Sequence, residues 1–301
     1  MLPGTHIAQR PAPPQRLPGK PGRREERRAR RLPGLRRFLA SREEVRSRLA
    51  EACALESRPP ERFGFALDTA ARLFQVTGFF YRSYFRVECH GIENLPSGPV
   101  LLVANHGSHA LSWDGAMIVT ACLLEGGPPR LAHGMAEHRL MELPVLGAAA
   151  RRIGAVDGTR SACTSLLHAR ATVLTFPEGV RALGKPFRER YRLGSFGHGF
   201  MHVALATRTP IVPVAVIGAE EEAPLIANPR WLARLLHTPT APLTPTLFVP
   251  FPVKYRIYFG TPLRFGGPAS PRLVARNVDG VRTALQGLIW QGVAARRHVF
   301  W

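Results

Sequence analysis

The sequence predicts an α/β fold in which a largely parallel mixed sheet is flanked by helices. Three apolar runs, at residues 100–104, 171–176 and 210–217, have the length and β-branched content of strands that are buried on both faces. Each run ends in glycine, proline or polar residues, and helical patterns lie between the runs. Because strands alternate with helices and no internal repeat is present, we expect one parallel α/β domain rather than two.

The segments before the first apolar run contain two helix signals and one strand signal. Ser41, followed three positions later by Glu44, is a capping-box pattern that predicts a short polar helix ending near Ala54. Residues 68–84 carry aromatic side chains at helical spacing and predict a helix with one aromatic face. We expect this face to pack on the core, although a bilayer interface also suits Phe and Tyr rings. Residues 85–89 predict a strand.

Further along the chain, apolar segments separated by Gly and Pro continue the alternation. Pro144 interrupts one predicted helix, and Ser195 is placed as the N-cap of another. Alternating side chains at 253–259 predict a late strand, and an apolar stripe predicts a last helix at 271–296. The other predicted elements are helices at 116–124, 137–152, 159–169, 195–207 and 225–236 and short strands at 130–133 and 153–156.

The charge of the chain is strongly positive. Its 301 residues include 41 Lys and Arg and 21 Asp and Glu, which gives a formal net charge of +20. Such a charge favours anionic partners, whether nucleic acid, an acidic lipid surface or a phosphorylated substrate. Residues 1–35 are dominated by Pro, Gly and Arg, and we predict that residues 1–60 form a basic, mostly disordered arm that includes the short polar helix. The folded domain is then expected over residues 61–301.

Cysteine usage and hydropathy indicate the compartment. The four cysteines are far apart and form neither a C-x-x-C pair nor a disulfide framework, which favours a reducing compartment. The sequence contains no apolar run of about 18 residues, the length that a spanning helix needs. The basic N-terminal stretch lacks the apolar segment of a secretory signal. We therefore expect a cytoplasmic protein.

Polar side chains with catalytic potential follow the first buried strand, namely Asn105, His106, His109 and Asp114. A histidine with a nearby carboxylate is the minimal general base, because the carboxylate fixes the tautomer and stabilises the imidazolium. Two other interpretations stay open. The histidines could be ordinary surface residues, or the pair could bind a metal with Asp114, although no further ligand has matching spacing.

Two further polar clusters follow the other buried strands. Residues 177–192 contain Glu178, Arg181 and Lys185, and their cations suit a phosphate, with a solvated basic turn as the alternative. Residues 218–222 form the third cluster. Because parallel strands bring their carboxyl ends to one edge, the three clusters are expected to share a crevice. A base beside an anion site suggests acyl or phosphoryl transfer, and the sequence has neither a nucleotide-binding glycine loop nor a G-x-S-x-G elbow.

Four short blocks, in order, resemble those of the glycerolipid and lysophospholipid acyltransferases. The resemblance covers residues 84–264 and extends to the 1-acylglycerol-3-phosphate acyltransferases and to the mono- and diacylglycerol acyltransferase branch. Each block alone is a weak signal, and the four in order are a strong one. The blocks are Asn105-His106 with Asp114, Gly154-Ala155-Val156-Asp157 near Arg160, Phe176-Pro177-Glu178-Gly179-Val180-Arg181, and Ile211-Val212-Pro213-Val214.

The first block departs from the family's usual spacing, in which four residues separate the histidine from the aspartate. Here seven residues separate His106 from Asp114, whereas His109 has the four-residue spacing but lacks the preceding Asn. Members of the mono- and diacylglycerol branch carry longer loops. Both histidines therefore remain candidates, with His106 preferred.

The resemblance implies a glycerol-3-phosphate acyltransferase-like fold and a direct transfer of a fatty-acyl group without an acyl-enzyme. The implied donor is acyl-CoA or acyl-carrier protein, and the implied acceptor is a hydroxyl of a lysophospholipid or an acylglycerol. One histidine deprotonates this hydroxyl while Asp114 holds the imidazole, and no cofactor or metal is implied. The substrate-binding residues are expected to be Asn105, Glu178, Gly179, Arg181 and Lys185.

The implied location is the cytoplasmic face of a membrane, with an anionic membrane surface as a peripheral partner. The alternative function is that of a non-catalytic basic protein that binds lipid or nucleic acid. We do not expect nucleic acid, because residues 1–34 contain no Phe, Tyr or Trp to stack on bases.

Overall fold

A computed structural model provides the fold and describes residues 41–57, 64–107, 112–142, 144–229, 231, 234, 243–246 and 249–300. Its strands are β1 (Glu88–His90), β2 (Val100–Ala104), β3 (Ala132–Ala136), β4 (Val156–Asp157), β5 (Thr172–Thr175), β6 (Ile211–Ile217) and β7 (Arg256–Phe259). They form one sheet in the order β1-β7-β6-β2-β5-β3-β4. Every pairing is parallel except that of β6 with β7. The predicted α/β class with a largely parallel mixed sheet is confirmed.

Helices cover both faces of this sheet. They are α1 (Arg42–Ala54), α2 (Leu67–Phe79), α3 (Trp113–Leu124), α4 (His138–Glu142), α5 (Leu146–Arg152), α6 (Arg160–His168), α7 (Gly199–Thr207), α8 (Ala219–Glu222) and α9 (Pro271–Ala295). A π-helical turn, Phe80–Tyr84, continues α2, and 3-10 turns occur at Ile92–Asn94, Gly179–Gly184 and Phe187–Glu189.

The centre of the sheet consists of β6, β2 and β5, whose apolar runs are buried almost throughout. The register pairs Val103 with Thr175 on one side and with Pro213 on the other. These three parallel strands therefore end close to one another, as the sequence predicted. The segments that follow β2 and β5 meet at this edge of the sheet.

Alternate residues of the central strands enter two separate cores, as the two-residue period of a strand requires. On one face, Leu102 and Ala104 pack with α1, α2 and α3. On the other face, Leu101 and Val103 pack with α6, α7 and α9. Helix α1, which the sequence analysis placed with the N-terminal arm, contributes fully buried Val45 and Leu49 to the first core. The folded domain, as described, therefore includes this helix.

Helix α1 begins as predicted, because the Ser41 hydroxyl accepts a hydrogen bond from the Glu44 backbone N–H at 3.0 Å. One other prediction is wrong. Ser195 does not cap α7, since this helix begins at Gly199 after a segment whose Gly197 N–H donates to the Pro177 carbonyl.

The predicted helix at 225–236 is confirmed only in part. Trp231 and Arg234 are helical, whereas residues 225–229 are not, because Ala227 forms an antiparallel bridge with Leu243. Part of the predicted helix at 225–236 lies outside the described residues, as do the predicted arm at residues 1–40 and the loop at 108–111. In the described ranges, we find no helix that is both long enough and apolar enough to span a bilayer.

Candidate active site

Asn105 is the first residue after β2, and its amide extends the sheet by one position. The side-chain Nδ2 donates to the Val216 carbonyl at 3.0 Å, and Oδ1 accepts from the Val216 N–H at 2.8 Å. The residue is only 1% exposed. Both ends of this amide are therefore engaged with β6. The sequence analysis expected Asn105 to contact substrate. In the structure, its amide joins the end of β2 to β6 directly before His106.

His106 and Asp114 form a hydrogen-bonded pair across the loop between β2 and α3. Nδ1 of His106 lies 2.7 Å from Oδ2 of Asp114. The aspartate is fully buried and also accepts the backbone N–H groups of Gly107 and Gly115 and the Ser112 hydroxyl. These bonds favour the charged carboxylate and fix its orientation. The pair has the arrangement that a general base requires.

The imidazole of His106 is held on its flat side as well as at Nδ1. The Phe176 ring, which follows β5, stacks on it with centroids 4.4 Å apart and planes at 26°. Burial lowers the pKa of His106, but the charge and hydrogen bond of Asp114, together with the charges of Glu178 and Glu220, outweigh this effect. The net pKa of His106 is therefore raised. With Nδ1 bonded to Asp114, Nε2 is the nitrogen that can accept a proton.

Glu178 follows β5 and is buried, with only 4% of the residue exposed. Its Oε2 accepts the Gly194 N–H at 2.7 Å. Its Oε1 is buried and has no hydrogen-bond partner among the described residues. Because an ionised carboxyl oxygen only accepts hydrogen bonds, this atom offers an acceptor to a ligand that carries a donor.

The other residues predicted near Glu178 differ in what they contact. Gly179 has a positive φ of 61° and turns the chain. A Cβ atom added to it would meet no atom within 4 Å, so this glycine borders open space. Arg181 is exposed to solvent. Lys185 is instead drawn inward, with Nζ 3.0 Å from Oε1 of Glu220 and 3.1 Å from the Arg192 carbonyl.

The third predicted cluster, after β6, is an acidic turn whose three glutamates are all buried. Glu220 binds Lys185 and also accepts the Tyr191 N–H at 3.0 Å. Glu221 binds the Arg296 guanidinium and the Tyr191 hydroxyl. Burial raises the pKa of Glu220, and Lys185 opposes that shift. The sequence analysis assigned no role to these glutamates.

Glu220 also contacts the loop that carries the histidine. A side chain at Gly107 would bring its Cβ to 2.3 Å from Cγ of Glu220, so only glycine fits at this position. The loop after β2 is thus supported by Asp114 on one side and by the acidic turn on the other. His109 lies outside the described residues. In the part of the chain that is described, no three His, Cys, Asp or Glu side chains are grouped as metal ligands would be.

Comparison with known proteins agrees with this geometry. Residues 86–217, which run from the segment before β1 to the end of β6, match the family model described as Acyltransferase. This part of the chain belongs to the acyltransferase family. The predicted family and the prediction of an acyltransferase are confirmed at this level. The matched segment contains the His106–Asp114 pair and Glu178, and it ends just before the acidic turn.

Several relatives of this chain were found. An uncharacterized protein of Mycobacterium tuberculosis, Rv0502, is 39% identical over 236 residues, which cover 74% of this chain and 66% of that protein. The human "DGAT1/2-independent enzyme synthesizing storage lipids" is 28% identical over 232 residues, covering 74% and 66%. The chicken protein of the same name is 28% identical, covering 69% and 60%. This chain thus spans slightly less than two thirds of the length of these relatives, from 60% to 66%.

Among solved structures, the chain aligns with the 1-acyl-sn-glycerophosphate (LPA) acyltransferase PlsC of Thermotoga maritima. The identity is 22%, the TM-score is 0.49, and the alignment covers 77% of this chain and 83% of that one.

Proposed function

We propose that this acyltransferase moves a fatty-acyl group from a thioester donor, acyl-CoA or acyl-carrier protein, to a hydroxyl of a glycerolipid. His106 acts as the general base. The observation that carries the proposal is the 2.7 Å hydrogen bond between Nδ1 of His106 and the buried Asp114. This bond leaves Nε2 for the acceptor hydroxyl.

In the proposed reaction, the acceptor oxygen attacks the thioester carbonyl carbon while Nε2 of His106 takes the hydroxyl proton. The new C–O bond forms, the C–S bond then breaks, and the imidazolium returns the proton to the departing sulfur. Asp114 accepts a hydrogen bond from Nδ1–H throughout and stabilises the imidazolium. General-base assistance of this kind is worth ~10²–10⁴ in rate. No covalent enzyme intermediate is needed.

Glu178 supports the proposal as an acceptor-binding residue. A buried polar atom without a partner costs roughly 1–3 kcal/mol, which a substrate hydroxyl donating to Oε1 would recover. Glu178 follows β5 directly, next to the Phe176 ring that stacks on His106. The exposed guanidinium of Arg181 is proposed to meet an anionic group of the donor, such as the phosphates of CoA.

The glycerolipid acceptor is supported by the names of the vertebrate relatives, which describe enzymes that synthesise storage lipids. A lipid acceptor implies peripheral contact with a membrane, expected on its cytoplasmic face. The net charge of +20 favours an anionic surface. Helix α2 also leaves Val76 and Phe79 exposed, at 53% and 41%. Flotation with anionic liposomes at low salt should carry the protein upward, and a protein that stays in the soluble fraction would contradict this part of the proposal.

The catalytic proposal is tested by transfer from a radiolabelled acyl thioester to a mixed pool of lysophospholipids and acylglycerols. We expect His106→Ala to lower turnover by about 10²–10⁴-fold. His109→Ala, made for comparison, separates the two histidines that the sequence left open. Unchanged turnover in a variant that carries both His106→Ala and His109→Ala would reject acyl transfer by a histidine base. It would favour the non-catalytic, lipid-binding alternative.

A further inference from the structure

The base and its surroundings are unusually acidic for a site that would bind a phosphorylated substrate. The largest charge effects on the pKa of His106 come from Asp114, Glu178 and Glu220, all of them carboxylates. Asp114 is hydrogen-bonded to the imidazole, Glu178 follows the neighbouring strand, and Glu220 packs against Gly107. A phosphomonoester carries a charge of about −1.5 to −2 at neutral pH and would be repelled by such a group of carboxylates.

Lys185 is the cation expected to offset this repulsion, but the structure shows that it is already paired. Its Nζ lies 3.0 Å from Glu220, and the two side chains are only 12% and 8% exposed. Both side chains line a small pocket, and Gly107, the residue that follows the base, lines it as well. Removing Lys185 from Glu220 would leave a buried carboxylate without its cation, which is costly. Lys185 is therefore not available to a substrate phosphate.

The hydrogen-bonding capacity of Glu178 points in the same direction. Its buried Oε1 needs a donor. Besides the hydroxyl that reacts, a monoacylglycerol carries a second hydroxyl that can donate, whereas lysophosphatidate carries an ionised phosphate in its place, which cannot. Arg181 is exposed, so its charge is screened by water and salt. It is better suited to an anionic carrier or membrane surface than to a phosphate held beside His106.

We infer that Glu220 is a specificity-determining residue: by holding Lys185 in an ion pair beside Gly107, it excludes phosphorylated acceptors and selects an uncharged acylglycerol. This inference rests on the proposed acyl transfer and names its acceptor class. Glu220 lies outside the four sequence blocks that indicated the family, and its role follows from its position in the structure.

The first test uses the unaltered protein with an acyl thioester and two acceptors of matched chain length, monoacylglycerol and lysophosphatidate. We expect kcat/KM to be at least about tenfold higher for monoacylglycerol, since a contact with an ionised group differs from a neutral one by this order or more. Equal or higher kcat/KM for lysophosphatidate would overturn the inference and leave the proposed acyl transfer intact. Acylation of neither acceptor would instead count against the proposed function itself.

The second test changes the ion pair. Glu220→Gln removes one negative charge, leaves Lys185 uncompensated, and should raise the lysophosphatidate-to-monoacylglycerol ratio of kcat/KM by about 10- to 100-fold. The matched control is Glu221→Gln, which removes the same charge from the adjacent buried residue that binds Arg296, and its ratio should stay as in the unaltered protein. Adding Lys185→Met to Glu220→Gln should restore the original ratio. An unchanged ratio in a correctly folded Glu220→Gln variant would overturn the role of Glu220. If that variant does not fold, the comparison of the two acceptors on the unaltered protein still tests the acceptor class.

Discussion

Two histidine–aspartate pairs of nearly equal length occur in the described part of this protein, and they differ in their surroundings. Nδ1 of His106 lies 2.7 Å from Asp114, and Nδ1 of His138 lies 2.8 Å from Asp157. In the first pair the side chains are 13% and 0% exposed, and in the second they are 68% and 34% exposed. In both, the carboxylate raises the pKa of the histidine. Distance alone therefore does not identify a base.

The difference lies in how each aspartate is supported. Besides the bond to His106, Asp114 accepts hydrogen bonds from the described residues Gly107, Ser112 and Gly115, and its side chain is fully buried. Asp157 is partly open to solvent. His138 also has a second acidic partner, because its Nε2 lies 3.3 Å from Oε1 of Glu142. An exposed pair is screened and can exchange partners. A buried, fully supported pair keeps one geometry through a reaction.

The largest expected effect is on the buried pair. Asp114→Asn keeps the shape of the side chain but removes the charge that stabilises the imidazolium and holds the tautomer. We expect kcat for acyl transfer to fall by about 10²–10⁴-fold with little change in KM, measured with a saturating thioester donor. A decrease of less than threefold would mean that Asp114 supports the fold alone.

Gly107→Ala should give the next largest effect. A Cβ at this position would lie 2.3 Å from Cγ of Glu220, whose carboxylate is held by Lys185 and the Tyr191 N–H. The loop that carries His106 must shift, and displacements of this size cost ~10- to 100-fold in rate. The matched control is Gly134→Ala in β3, where an added Cβ meets no atom within 4 Å. Equal activities of the two variants would show that the packing of Glu220 on the loop is unimportant.

Asn105→Ala distinguishes positioning from substrate binding. The change leaves the N–H and carbonyl of Val216 without their partners, and the free energy of unfolding should fall by about 1–3 kcal/mol in urea denaturation. KM for the acceptor should stay near that of the unaltered protein. A raised KM with unchanged stability would restore the sequence-based expectation that this amide contacts substrate.

His138→Ala should have the smallest effect. Because the exposed pair is screened by solvent, we expect turnover within about threefold of the unaltered protein. The assay is the same acyl transfer under saturating conditions. A loss comparable to that of Asp114→Asn would show that burial is not what separates the two pairs.

The parts of the fold that the sequence predicted are those determined by local pattern. The apolar runs of β2, β5 and β6 could only be buried strands, and the capping box at Ser41 acts through neighbouring residues. Ser195 was assigned as a cap by its residue type, but the Gly197 N–H is taken by the Pro177 carbonyl, and the helix begins later. That contact joins segments twenty residues apart, and no local pattern contains it.

The sequence predicted where the candidate site lies, but it did not predict all of the contacts made there. The sequence brought His106, Asp114 and Glu178 to one sheet edge, because parallel strands share the direction of their ends. It left two histidines open, and the described structure pairs His106 with the aspartate. It did not foresee that Asn105 is engaged by Val216 or that Lys185 is bound by Glu220, since both partners come from β6 and its following turn, distant in the chain.

The pH dependence of acyl transfer tests the central claim most directly. A base must be neutral, so kcat/KM should rise with pH through the pKa of His106, which lies above its ordinary value of about 6.5 because of Asp114. In Asp114→Asn, burial of the imidazole persists without the opposing carboxylate, so the pKa falls and the rise should move to lower pH, at a reduced maximum rate. The same midpoint in both proteins would contradict the assignment of His106 as the base that Asp114 supports.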